Sequence, residues 1–172
     1  MKRILMIVAS SEFRDIEYIV PRAFFEQAGV EVKTASSTDD SIGRFGYKIA
    51  HEFLIKDVDQ SQFDALFFVG GKGALQFLED DLVKSLTLQF IEANKPIGAI
   101  CAAPRNFLHW GIMKDKAATG HNWDNNFATL CEEAGAIDKS SAAVVIAGKI
   151  LTANGPEASE EAALKFLALI NL

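Results

Sequence analysis

A chain of 172 residues lies within the roughly 100–200 that one domain takes, so a single compact core is expected. Its 49% hydrophobic and 23% charged residues, with 12 Gly and 4 Pro, exclude disordered and collagen-like classes. The net charge of −6, from 17 Lys+Arg against 23 Asp+Glu, argues for solubility and against a nucleic-acid partner, which needs a positive surface.

The opening MKRILMIVAS has a basic pair and an apolar run, but the run is too short for a signal core of ~7–15 residues and no small-residue cleavage site follows. Arg3–Ala9 reads instead as a buried strand. Asp15–Ala28 carries apolar residues at helical spacing (Ile16, Ile19, Val20, Ala23, Phe24) and stops at Gly29. Val30–Ala35 is a second strand. The polar Thr38–Phe45 and the half-alternating Tyr47–Ile55 predict a small antiparallel excursion at an edge. Ala65–Val69 is a strand buried on both faces. Ala74–Leu78 and Leu82–Asn94 look helical, Pro96 stops that pattern, and Ile97–Ile100 is a short apolar strand ending at Cys101. Ala102–Trp110 is predicted helical, Ala117–Thr119 a short strand, and Trp123–Ala134 an amphipathic helix ending at Gly135. Ala143–Ala147 and Ile150–Ala153 flank Gly148-Lys149, a two-residue hairpin turn. The last helix opens at Gly155-Pro156-Glu157. This alternation predicts an α/β fold: a three-layer sandwich with a mostly parallel central sheet and helices on both faces, over residues 1–172 as one domain.

No run approaches the ~20 apolar residues of a membrane span. Two cysteines, Cys101 and Cys131, make no disulfide framework, so a reducing, cytoplasmic setting is expected. No metal-ligand spacing and no cofactor motif is present, and neither a metal nor a cofactor is expected.

In open parallel sheets, ligands bind beyond the carboxyl ends of the strands. Cys101 stands there, where a buried strand runs straight into a predicted helix and the turn has to be sharp. That is the geometry of a nucleophile elbow, with Gly98, Ala99, Ala102 and Ala103 leaving room for the side chain. A helix N-terminus behind it would favour the thiolate. The alternative is a buried structural cysteine, the reading that fits mid-helix Cys131. Gly70-Gly71-Lys72-Gly73 lacks the order of a phosphate loop; its use is as close-approaching backbone, with the N–H groups of Gly71 and Ala102 placed for an oxyanion. The same glycines would serve a plain strand-to-helix turn. Glu17 falls on the first helix, where Pro21 removes the hydrogen bond its carbonyl would accept, so the helix is expected to start or bend there. His121 follows a strand on the ligand side and is the one imidazole suited to Cys101. His109 is eight residues past the cysteine and points away, and His51 sits in the edge excursion.

Together these motifs resemble the ThiJ/PfpI superfamily, which includes the PfpI-type intracellular peptidases and the parkinsonism-associated deglycase. The resemblance rests on Phe13-Arg14-Asp15-Ile16-Glu17, Val69-Gly70-Gly71, the elbow Gly98-Ala99-Ile100-Cys101-Ala102-Ala103-Pro104, and Ile150 to Pro156, in that order along the whole chain. It implies a flavodoxin-like sandwich, Cys101 as the reactive cysteine, Glu17 as the carboxyl bonded to its sulfur, and a homodimer. Where the peptidases have a histidine directly after the cysteine, this chain has Ala102. His121 looks like the histidine of deglycase-like members, but Asn122 follows it where those commonly have proline.

The leading expectation is a cysteine-dependent enzyme acting on small reactive aldehydes, a cofactor-free glyoxalase or deglycase working through Cys101 and Glu17. The alternatives are an intracellular peptidase or amidase using a Cys101–His121 pair on a peptide substrate, and a redox-sensing stress chaperone in which Cys101 is oxidised to sulfinate. A Glu17 that hydrogen-bonds a thiolate has to carry a proton, and burial without a cation raises its pKa in that direction.

Overall fold

The computed structural model describes residues 1–171. In chain order the elements are β1 (Arg3–Ile7), β2 (Ser11–Phe13), α1 (Asp15–Gln27), β3 (Glu31–Ser36), β4 (Asp40–Gly43), β5 (Lys48–Ala50), β6 (Phe53–Leu54), β7 (Ala65–Phe68) and α2 (Asp81–Glu92). Then follow β8 (Ile97–Ile100), α3 (Pro104–His109), β9 (Ala117–Ala118), α4 (Phe127–Glu133), β10 (Ile137–Asp138), β11 (Val144–Ala147), β12 (Ile150–Ala153) and α5 (Ser159–Ile170).

Seven strands form the central sheet in the order β11-β12-β8-β7-β1-β3-β6, with every neighbouring pair parallel except the β11–β12 hairpin. Its five inner strands, counted along the chain, run 2-1-3-4-5, which is the flavodoxin-like order. The strand order reverses between β1 and β7, so a crevice opens beyond their carboxyl ends. β7, β8 and β12 are buried at every residue, as short apolar strands covered on both faces have to be.

Adjacent residues of a strand point to opposite faces, and Phe67 and Phe68 of β7 build a core on each. Phe67 packs edge-on against Phe25 of α1 and Phe166 of α5, at ring separations of 5.6 and 5.2 Å. Phe68 meets Phe107 of α3 at 5.4 Å, with Phe77 and Trp110 beside it. Helices on both faces of a mostly parallel sheet are the predicted three-layer sandwich.

Several local expectations are corrected. The antiparallel excursion exists as β4–β5, but parallel pairing of β2 with β4 makes it a separate three-stranded sheet, and β2 itself carried no periodic signal in three residues. Ala74–Leu78 is not α-helical; Lys72–Phe77 forms a 3₁₀ segment. The helix expected over 102–110 begins only at Pro104, because Cys101 adopts a left-handed backbone (φ +63°). The helix expected from Trp123 begins at Phe127. Asn122 Oδ1 accepts the Phe127 N–H, Asp124 accepts the Asn126 N–H, and Asn125 has φ +56°, so side-chain capping wins over propagation. Residues 117–118 form a strand as expected but pair with β10, outside the central sheet. α1 runs unbroken through Pro21 rather than starting there, since it begins six residues earlier at Asp15.

Candidate active site

β1 leads through β2 into α1, and the Arg14 N–H donates to the Gly70 carbonyl at 3.0 Å, fastening the start of α1 to the glycine turn after β7. Glu17, in the first turn, is thereby carried inward and is fully buried. Its carboxyl faces the Cys101 thiol, yet neither oxygen completes a hydrogen bond among the described residues. Burial pushes its pKa up to about 8; the Cys101 thiol and the Arg14 charge oppose that rise and Glu157 adds to it. Glu17 therefore holds a proton at neutral pH.

The elbow is fixed from both sides. The Cys101 N–H donates to the Ala153 carbonyl of β12, and the Cys101 carbonyl accepts the His121 N–H, each at 2.8 Å. These bonds over-determine a backbone conformation that costs a non-glycine residue about 1–3 kcal/mol. The side chain is 6% exposed and meets the N–H groups of Gly71 and Ala102. The expected preference for thiolate is not what governs this thiol: burial pushes it up to about 12, with the Glu17 charge next and the two N–H groups opposing. No full helix N-terminus lies under the sulfur, because Cys101–Ala103 is a turn ahead of α3. Two anions side by side are excluded here, so the pair titrates jointly, with one proton shared between carboxyl and sulfur over a wide range of pH. Cys131 is 1% exposed on α4, a core residue as expected.

Gly70 has no alternative. A methyl group there would stand 2.7 Å from Cys101 Cβ and would overlap Glu17 Oε2 and the Ile100 carbonyl. Gly71, at φ +96°, adopts the left-handed region and packs against the backbone of Glu12 to Arg14.

His121 is exposed at the mouth of the crevice, its ring 5.6 Å from that of Trp123. The loop is held by Arg105, the second residue of α3, which sequence reasoning passed over. Its buried guanidinium makes two bonds to Asp124 (2.6 and 2.8 Å), donates to the His121 carbonyl at 3.1 Å, and lies 3.7 Å from the Trp123 ring centroid. This charge holds Asp124 down to about 2. His109 pairs with Glu79 at 2.9 Å and His51 bonds Ser41 at 2.7 Å, both remote from the elbow as expected.

Glu17, Gly71, Cys101, Ala102, His121 and Trp123 line one cleft of about 480 Å³, which also receives Arg14, Arg44, Lys72 and Glu157. A second cleft of similar volume, between α3 and α4, is lined by Leu75, Leu78, Leu108, His109 and Leu130 and holds no nucleophile. Among the described residues no group of three or more His, Cys, Asp or Glu converges as metal ligands would. Among the described residues no helix is long and apolar enough to cross a membrane.

A flavodoxin-like sheet with a left-handed cysteine at one strand end and a buried, protonated glutamic acid against it defines a class of cysteine-elbow proteins. The DJ-1/PfpI family profile matches residues 2–169, and the chain belongs to that family. It is 34% identical to MJ0967 of Methanocaldococcus jannaschii over 98% of this chain and 82% of the other. It is 31% identical to YraA of Bacillus subtilis, named as a candidate cysteine protease, over 91% and 92%. A crystal structure of a ThiJ/PfpI domain protein from Brachyspira murdochii superposes with a TM-score of 0.91 at 28% identity, over 98% of this chain and 96% of that one. More distant relatives include DJR-1.2 of Caenorhabditis elegans, named a glutathione-independent glyoxalase (26% identity; 96% and 87% covered). PfpI of Pyrococcus furiosus, named a deglycase, is 25% identical over 68% of this chain and 71% of its own.

Proposed function

We infer that the protein is a cofactor-independent enzyme that adds Cys101 to small reactive aldehydes, of glyoxalase or deglycase type. The observation that carries this reading is the Glu17–Cys101 pair: a buried carboxyl raised to about 8 beside a nucleophile can take and return a proton near neutral pH. When the pair loses its first proton, the remaining proton is shared between carboxyl and sulfur, and the Gly71 and Ala102 N–H groups favour the fraction in which the sulfur carries the charge and Glu17 the proton.

For an α-oxoaldehyde the steps balance without a redox cofactor. The thiolate forms a C–S bond at the aldehyde carbon while the carbonyl electron pair moves to oxygen, which takes the Glu17 proton. The resulting carboxylate removes the hydrogen from that carbon, giving an enediolate; the hydroxyl proton passes from the first oxygen to the second, and Glu17 returns its proton to the neighbouring carbon, giving a 2-hydroxyacyl thioester. Water cleaves the thioester, releasing the 2-hydroxy acid and restoring the thiol. The aldehyde carbon is oxidised as its neighbour is reduced. Gly70 gives both side chains the space to meet, and His121 closes the mouth of the cleft.

Peptide hydrolysis is a weaker fit. It needs an acid for a poor amine leaving group, Ala102 cannot supply one, and the His121 ring lies beside Trp123 at the cleft mouth with no hydrogen bond to the Cys101 sulfur among the described residues. The reading includes a homodimer in a reducing, cytoplasmic setting, for which light scattering and localisation of a tagged chain are the checks. The decisive experiment is conversion of methylglyoxal to lactate. Turnover is expected in the wild type and lost in Cys101→Ala; no lactate, or equal lactate from Cys101→Ala, overturns the reading.

A further inference from the structure

The mechanism above uses none of the cations in the cleft, although this is an acidic chain of net charge −6. Arg14, Arg44 and Lys72 line the same space as Cys101, against one other carboxyl group, Glu157, while Glu17 holds its proton. Among the described residues none of the three has a carboxylate within ion-pair distance. Arg14 Nε is buried without any hydrogen-bond partner, an orphaned donor of a kind that native interiors seldom leave.

The arrangement is built, not incidental. The guanidinium carbons of Arg14 and Arg44 lie 4.7 and 5.9 Å from the centroid of the Phe45 ring, which is 68% exposed and held near both cations. The turn carrying Arg44 and Phe45 is drawn onto α1 by Asp15, whose carboxylate accepts the Phe45 and Tyr47 N–H groups at 2.9 and 2.8 Å. The Asp15 carboxylate is thus occupied with backbone, and the lack of a side chain at Gly43 is what leaves room for it there. Arg44 has a fixed perch in an otherwise short, exposed excursion. Three cations without carboxylate partners lining one cleft focus potential on whatever enters.

We propose that Arg14, Arg44 and Lys72 form an anion subsite, so that the preferred substrate is an aldehyde or α-oxoaldehyde whose chain ends in a carboxylate or a phosphate. The subsite rests on the reading of Cys101 as the nucleophile towards carbonyl carbon: the anionic tail is held by the cations while the aldehyde carbon lies against the sulfur. The planar guanidiniums suit a two-oxygen acceptor, and Lys72 adds a point charge.

The test compares two alkylating agents that differ in charge, iodoacetate and iodoacetamide, on the intact protein. Both require the same thiolate, so the ratio of their rate constants at Cys101, normalised to that ratio for free cysteine, isolates the charge of the cleft. The normalised ratio is expected to be about tenfold above one at low salt and to fall towards one in about 1 M salt. It is expected to fall at least about threefold in Arg44→Gln and in Lys72→Gln. A ratio at or below one that ignores salt overturns the subsite, as does a raised ratio that both variants retain. A second arm measures turnover of methylglyoxal against 4,5-dioxopentanoate, its carboxylate-bearing counterpart. Preference for iodoacetate with neither aldehyde consumed would leave the subsite standing and remove the aldehyde reaction. Methylglyoxal turnover with no preference for the anion in either arm would do the reverse.

Discussion

Arg105, on the helix behind the elbow, and Asp124, in the loop that carries His121, are joined by two hydrogen bonds of 2.6 and 2.8 Å. The carboxylate's folded-state pKa is depressed to about 2 from 3.8, so its contribution is present above pH 3.8 and is lost as pH falls through about 2. Trp123 rests on the same guanidinium and reports the loop. Its fluorescence is expected to hold steady from neutral pH to about 4 and to change below about 3. Asp124→Asn should show the altered signal already at neutral pH. An acid titration of both proteins, read against Trp123→Phe to subtract Trp110, checks this.

Glu17 has the opposite sign. Its folded pKa is raised from 4.5 to about 8, so the stability tied to its proton is full below 4.5 and is lost progressively as pH rises to about 8. Glu17→Gln removes the ionisable group while keeping the shape. The variant should match the wild type near pH 4.5 and exceed it by a few kcal/mol at pH 8, in urea midpoints taken across that range. Equal stability at both pH values would show that the carboxyl is solvated in solution.

The same substitution separates the pair's proton from its donor. Alkylation of Cys101 by iodoacetamide should rise through a midpoint near 8 in the wild type, where losing one proton makes sulfur charge available. In Glu17→Gln a donor remains but no second acid contributes to that first ionisation, so the midpoint moves upward and methylglyoxal turnover drops by about 10²-fold or more. Cys131, 1% exposed and pushed up to about 11 by burial, should stay unlabelled throughout in the folded chain.

Gly70→Ala tests how tightly the pair is packed. With Glu17 Oε2, the Ile100 carbonyl and Cys101 Cβ all inside contact distance of the new methyl, overpacking should cost about 1–3 kcal/mol. Turnover should collapse because the carboxyl is driven off the sulfur. Gly111→Ala, where the added methyl meets nothing within 4 Å but the backbone is left-handed at φ +74°, separates strain from collision: it should lower stability while sparing turnover.

How much of this was readable beforehand follows from the range of the forces involved. The buried strands and their alternation with helices are local apolar runs that the sequence carries openly, whereas the 2-1-3-4-5 order was implied only through the flavodoxin-like fold of the resembling family. The sharp turn at Cys101 was equally legible, because a strand abutting a helix leaves no other course. Glu17 was not legible from pattern: a carboxylate on a helix reads as solvated, and its burial comes from Gly70, 53 positions along the chain in sequence numbering. Only the ordered motifs of the resemblance singled it out. Arg44 could not be found at all, since it reaches the cleft through Asp15 and a turn of two hydrogen bonds. The false helix from Trp123 had the right apolar spacing, and lost to short side chains that capped their own backbone.

The outer border of the sheet beside β3 is closed in an economical way. Only Phe53 and Leu54 of β6 pair there, opposite Ala35 and Ser36. One residue further in, the Thr34 N–H is taken by the Glu52 carboxylate at 2.9 Å and its carbonyl by the Glu52 N–H at 3.2 Å. Below that, Glu31 is ion-paired with Arg3 and Lys33. A strand from another molecule seeking to extend the sheet would therefore have to strip a carboxylate from the backbone and desolvate a charged row before gaining a single ladder bond. The consequence is that this border of the seven-stranded sheet is built to resist edge-to-edge pairing.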